Sequence, residues 1–153
     1  MAKPLGCLMF FLAWLATTAP IAHVLELPNK LAFDGPLWLT TQKRLYQGWG
    51  VIFGPVEIAA LLSSVLITFL VRAERRRFIA MGIAALAYFG MLVAFFLMNA
   101  PVNDAVNRWI PADLPADWPR YRLQWESGHA VAAALSLIAL VAIIGALRRE
   151  KRA

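Results

Sequence analysis

The sequence predicts an all-α fold: a four-helix transmembrane bundle, up-down, with both termini on the cytoplasmic side. Three observations carry that prediction. Hydrophobic residues make up 61% of the chain and charged residues 16%, against about 45–50% and about 25% in soluble domains. Four apolar stretches meet or approach the roughly 20 residues a helix needs to cross a bilayer core of about 30 Å. Basic residues cluster at alternate ends of those stretches. The composition excludes an ordinary soluble enzyme and a disordered chain. One cysteine, Cys7, excludes a disulfide scaffold and a thiolate metal site.

The expected spans are about 4–27, 48–71, 78–102 and 125–147, within one integral membrane domain covering 1–153. Pro4 to Ala22 carries no charge, Gly48 to Val71 carries only Glu57, and Phe78 to Val102 carries none. Ala130 to Leu147 is uncharged but short, and it can extend backward toward Asp117. No stretch alternates at period two, so helices are expected rather than barrel strands. The first span resembles a signal peptide, with Lys3, an apolar run from Leu5 to Ala16, then small residues. Pro20 disfavours cleavage at Ala19 or Ala22, so the span is expected to stay as a membrane helix.

Local signals set the helix ends. Pro28 is expected to end or kink the first helix. Thr40 or Thr41 is expected to cap a helix running through Lys43, Tyr46 and Gly50 into the second span. Asp117 is expected to cap one that has Pro119 in its first turn and continues through Trp125 into the fourth. Helices 2 and 4 would then extend beyond the outer face.

Nine basic residues (Lys3, Arg72, Arg75, Arg76, Arg77, Arg148, Arg149, Lys151, Arg152) fall on one side with Glu74 and Glu150. The other side has six (Lys30, Lys43, Arg44, Arg108, Arg120, Arg122) against seven acidic residues. The excess predicts an N-in, C-in multi-pass membrane protein, with its polar residues on the side away from the cytoplasm. The high pI of about 10.1 then records inner-leaflet anchoring, and no nucleic-acid partner is implied. The lipid bilayer is the expected partner, and nothing specifies an oligomeric state. Five of six tryptophans fall on the outer side, more than an aromatic belt alone would put there.

Each span contributes polar residues to that outer third. His23 and Glu26 share a face of the first helix, three residues apart. Glu57 stands about two turns inside the second span, where a carboxylate is costly unless it faces the bundle interior or a cavity. It lies on a stripe with Tyr46, Gly50, Gly54, Leu61, Ser64 and Thr68, and the Gly50–Gly54 pair is expected to admit a neighbouring helix closely. Asn99, Asn103 and Asn107 recur every four residues on the third helix, and Pro101 frees the carbonyl of Leu97. Arg122, Trp125, Glu126 and His129 share a face of the fourth. Each group has a plainer reading, as interfacial decoration, packing or a surface ion pair worth under about 1 kcal/mol. Their convergence predicts one cavity lined by His23, Glu26, Glu57, Asn103, Arg122, Glu126 and His129.

The strings His23–Lys30 (HVLELPNK), Pro101–Asn107 (PVNDAVN) and Arg122–His129 (RLQWESGH) resemble a bacterial family of small four-helix membrane proteins of unknown function, grouped with the fungal anthrone oxygenases. The resemblance runs in order over nearly the whole chain. It implies the four-helix fold and an oxidoreductase or oxygenase chemistry on a lipophilic aromatic or quinone-type substrate. Asn103, Arg122 and His129 match positions shared broadly in that group.

Three functions follow. In the first, an enzyme, His129 or Glu126 is the general base. Arg122 and Asn103 stabilise a developing enolate or phenolate oxygen, Trp125 stacks on the ring, and His23 and Glu57 complete the catalytic set. In the second, His23, Glu26 and His129 hold a transition metal, or His23 and His129 hold a haem. The residues leave the cofactor open between none, a metal and haem. In the third, the chain is an accessory subunit whose outer helices dock a partner. A docking surface would not need the intramembrane Glu57.

Overall fold

The computed structural model describes residues 3–150, and the side chains of residues 4–148. Of the charges counted for orientation, the side chains of Lys3, Arg149, Glu150, Lys151 and Arg152 lie outside the described residues. The chain is all-helical: α1 (Lys3–Leu31), α2 (Gly35–Arg44), α3 (Trp49–Leu70), α4 (Arg75–Ala94), a π turn (Phe95–Asn99), α5 (Ala100–Arg108) and α6 (Trp118–Glu150). No strand forms among the described residues; Ile110 and Asp113 make an isolated bridge. Four helical stretches are long and apolar enough to cross a membrane: Pro4–Leu31, Trp49–Leu70, Arg75–Arg108 and Trp118–Arg148. This is a membrane protein with a bilayer as its surroundings.

The four spans close a ring in which α1 packs on α3 and α6, and α4 on α3 and α6. Apolar residues have no solvent-driven reason to prefer each other over lipid, so close packing has to hold the bundle. The sequence supplies small side chains for it. Ala13, Ala16, Ala60, Ala84, Ala87, Ala139 and Ala146 are all buried, with Met9, Met81, Met91 and Ile143 filling the gaps between them.

Several ends differ from expectation. α1 runs through Pro28 to Leu31. The proline costs one backbone bond, and the tertiary contacts of Lys30 described below hold the last turn in place. The outer part of the second helix is a separate element. Asp34, not a threonine, caps α2 by accepting from Leu37 N (2.9 Å), with Pro36 in the first turn. Thr40 and Thr41 donate instead to the carbonyls of Pro36 and Leu37 within the helix. Gly48, at φ 85°, breaks the path to α3 with a left-handed residue, a conformation glycine adopts without steric cost. α6 is one continuous 33-residue helix from Trp118, as expected, and the Asp117 backbone carbonyl accepts from Arg120 N at its start.

The third span is longer than the expected 78–102. It absorbs the Pro101 region by a π turn, with Ala100 N–H donating to Phe95 O. One inserted residue per turn shifts the register, and Pro101 then sits in the first turn of α5, where a missing N–H costs nothing. The irregular backbone is served from α6, where Gln124 Nε2 donates to Met98 O (3.0 Å).

A second buried cluster lies at the end of the bundle where α2 packs on α5. Trp38, Leu39, Val102, Val106 and Trp125 form it, with Trp109, Trp118 and Tyr121 packed against it. Trp38 is wholly buried and its ring lies 5.9 Å from that of Trp118. The tryptophans at this end are thus in part the core of a packed cluster, which accounts for their excess over a belt.

Candidate functional site

Helix length sets the depth of the two histidines. His23 is twenty residues from the start of α1, and His129 twenty-one from the end of α6. At 1.5 Å per residue both stand about 30 Å from the inner end. α1 and α6 are neighbours in the ring, and the two imidazole centroids lie 4.1 Å apart, tilted by 36°. Aromatic rings enclose the pair. Tyr46 and Trp49 approach His23 at 4.5 and 5.3 Å, and Trp125 lies 4.8 Å from His23 and 4.1 Å from His129.

Both histidines border a cavity of about 680 Å³ between α3 and the α4–α5 segment. Its polar lining comprises Gln42, Lys43, Tyr46, Gln47, Glu57, Asn99, Asn103, Asn107, His23 and His129. Its apolar lining includes Trp49, Phe53, Phe95, Phe96 and Trp125. Gly50 and Gly54 also border it, and a Cβ at either would meet nothing within 4 Å. The Gly50–Gly54 pair therefore does not bring a helix close, as expected from the sequence; it leaves the wall of the cavity thin. Ile58 (48% exposed) and Phe96 (67%), both within candidate spans, line the cavity and are also exposed on the side of the bundle.

Of the seven residues expected to line the cavity, His23, Glu57, Asn103 and His129 do so. Glu57 faces the cavity, and neither α1 nor α6 supplies it with a hydrogen bond or ion pair among the described residues. Asn103 accepts from Trp125 Nε1 through Oδ1 (2.9 Å), which leaves its Nδ2 donors unspent on that partner. Asn99 is anchored by Nδ2 donating to Trp125 O (2.9 Å). The backbone of Gly128 approaches Asn99 so closely that a Cβ there would overlap the amide.

Glu26, Arg122 and Glu126 lie off the cavity wall, in an ionic cluster behind it. Lys30, 2% exposed, donates to Glu126 Oε2 (2.8 Å) and stands 3.9 Å from Glu26 Oε2. Its ammonium also lies 5.1 Å from the Trp125 ring centroid and 5.6 Å from that of Tyr46. Tyr46 donates to Glu26. Arg122 donates to the carbonyls of Lys30 (3.3 Å) and Phe33 (3.0 Å), closing the end of α1. A cation there satisfies orphan carbonyls and the negative end of the helix dipole. Trp125 is 4% exposed, with its ring packed by both imidazoles and Lys30, and it also borders the cavity.

Tyr46 lies outside the spans. Its phenol is held above the ordinary tyrosine range, first by burial, then by its hydrogen bond to Glu26 and the charges of Glu26 and Glu126. Raised in the folded state, it contributes stability that is present below the ordinary value of about 10 and lost as pH rises beyond it. It therefore remains a donor to Glu26 at neutral pH.

The metal set His23, Glu26 and His129 is not assembled. No group of three His, Cys, Asp or Glu is placed to hold a metal ion among the described residues. Glu26 is instead engaged by the Tyr46 hydroxyl and stands 3.9 Å from the Lys30 ammonium. The haem arrangement also fails, because rings 4.1 Å apart leave no room for a porphyrin plane between them.

Sequence reasoning missed the role of Lys30, which reads as half of a surface Glu–Lys pair, and the participation of Gln42, Gln47, Trp49 and Phe53. Trp49 and Phe53 share a helical face with Tyr46 and Gly50, a signal that was present in the spacing.

No curated protein and no solved structure matches the chain. The family model described as Anthrone oxygenase matches residues 43–142. That range contains Glu57, the amide series, Trp125 and His129, and leaves His23, Glu26 and Lys30 outside it. It spans well over half of the 153 residues, and by it the chain belongs to the anthrone oxygenase family.

Proposed function

We propose that the chain is an oxidoreductase of oxygenase type acting on a lipophilic aromatic or quinone-type molecule drawn from the outer leaflet. One observation carries this reading: a 680 Å³ cavity with aromatic walls, an imidazole pair, a carboxylate and amides, bordered by side-exposed residues of two candidate spans. That volume lies within the 300–1,000 Å³ or so typical of small-molecule sites. The imidazole pair accepts the proton that leaves the ligand. Asn103 Nδ2 donates to the oxygen on which negative charge builds. Dioxygen, in keeping with the family's name, is the oxidant: with an anthrone methylene one oxygen atom becomes the new carbonyl and the other leaves as water, and with a hydroquinone both leave as hydrogen peroxide.

Oxygen uptake by protein in nanodiscs, offered a panel of anthrones and hydroquinones, tests the reading. Turnover is expected with at least one of them. His23→Ala and His129→Ala should each lower it by about 10²-fold or more without loss of insertion. Trp14→Ala, on the lipid-facing side, should leave it unchanged. Uptake that persists in both histidine variants sinks the assignment.

The orientation belongs to the same proposal: N-in and C-in, in the bacterial cytoplasmic membrane, with the cavity toward the periplasm. The described Arg72, Arg75, Arg76, Arg77 and Arg148 cluster at one end of the bundle and support it. A periplasm-active reporter fused to the C-terminus should give no signal. A strong signal would turn the cavity toward the cytoplasm.

A further inference from the structure

The ionic cluster meets the imidazole pair at one point. His23 Nδ1 lies 3.8 Å from Glu26 Oε2. That nitrogen is sealed from solvent and has no hydrogen-bond partner among the described residues. A buried polar atom without a partner is rare and costly, so its one near acceptor matters. Glu26 is itself held from two sides by donors, the Tyr46 hydroxyl and the Lys30 ammonium. Both share with His23 the same oxygen, Glu26 Oε2, and both hold the carboxylate beside the ring.

A neutral imidazole carries one N–H and one lone pair, and its surroundings decide which nitrogen has which. A lone pair on Nδ1 would face the lone pairs of Glu26 and be repelled. An N–H there faces an acceptor, and an approach of about 0.6 Å or more would bring the 3.8 Å separation into hydrogen-bond range. His23 also borders the cavity. With Nδ1 sealed beside Glu26, the opposite edge, which bears Nε2, is the one left to meet a ligand in the cavity.

The geometry points to Glu26 as a positioning residue for His23. It holds the proton on Nδ1, so that Nε2 is presented to the cavity as a lone pair. The carboxylate stands behind the ring and the base in front of it, the division of labour that orients a catalytic histidine in hydrolases. Glu126, three residues before His129, gives no such support to its neighbour, because it is bound to Lys30. The inference therefore assigns the base to His23, and it rests on the reading of the cavity as a ligand site.

The chain has two histidines, so nitrogen NMR of ring-labelled protein in nanodiscs gives two signals pairs, and His129→Asn assigns them. In the ligand-free wild type at neutral pH, His23 is expected to carry N–H at Nδ1, with Nε2 resonating as an unprotonated nitrogen. Glu26→Ala should shift the population toward N–H at Nε2. A merely structural Glu26 would change thermal stability and leave the tautomer where it was. Wild-type His23 with N–H on Nε2, or protonated on both nitrogens, overturns the inference without any variant. An unchanged tautomer in folded Glu26→Ala overturns it too. Turnover plays no part in the measurement, so failure of the oxidoreductase reading is seen separately, in oxygen uptake.

Discussion

Replacing Lys30 by methionine should destabilise the bundle by about 3–5 kcal/mol, the usual cost of removing one partner of a buried ion pair. Lys30 and Glu126 are 2% and 5% exposed and meet at 2.8 Å. Glu126 Oε1 already has no partner among the described residues, so losing the ammonium would leave the whole carboxylate unpaired in the protein interior. The same change removes the cation from above the Tyr46 and Trp125 rings. Reversible unfolding in mixed detergent would report the loss. Lys30→Met combined with Glu126→Leu should recover most of it, because two apolar side chains of similar volume carry no desolvation penalty. If Lys30→Met alone cost less than about 1 kcal/mol, the pair would be behaving as an exposed one, and the buried cluster would be wrong.

Gly54→Phe should leave the bundle intact and close the cavity. A Cβ at Gly54 meets nothing within 4 Å, so the benzyl group has the cavity as its free space. Binding of a lipophilic aromatic ligand should weaken at least tenfold, about 1.4 kcal/mol, with an unchanged unfolding midpoint. Gly128→Val provides the contrast. Its side chain would overlap the Asn99 amide and displace the bond from Asn99 to Trp125 O, at the 1–3 kcal/mol or so typical of overpacking. Fluorescence quenching of the cavity tryptophans by a bound quinone would measure the first effect, and detergent unfolding the second. Undiminished ligand binding in Gly54→Phe would move the ligand site out of this cavity.

The two glycines show where reading a sequence stops. Gly50 and Gly54 carry the spacing of a helix-contact motif, yet they border empty space. Gly128 carries no motif and is where two helices touch. Spacing places residues on one face of a helix, but it does not say what lies opposite that face.

The four spans, their ring and the depth of His23 and His129 follow from the chain alone. Each depends on a one-dimensional quantity: the length of an apolar run against the thickness of a bilayer, and residues counted along a helix at a fixed rise. Convergence of polar residues at the outer end was legible for the same reason. The sharing-out of partners was decided only by the tertiary structure. Arg122 reads from spacing as a partner of Glu126 or of a ligand, but its guanidinium reaches the open carbonyls at the end of α1. Lys30 reads as a surface lysine, yet it lies between two carboxylates contributed by α1 and α6. Charged groups taken out of water must find partners within a few ångströms, and which partner is that near depends on how the helices are rotated and offset against each other.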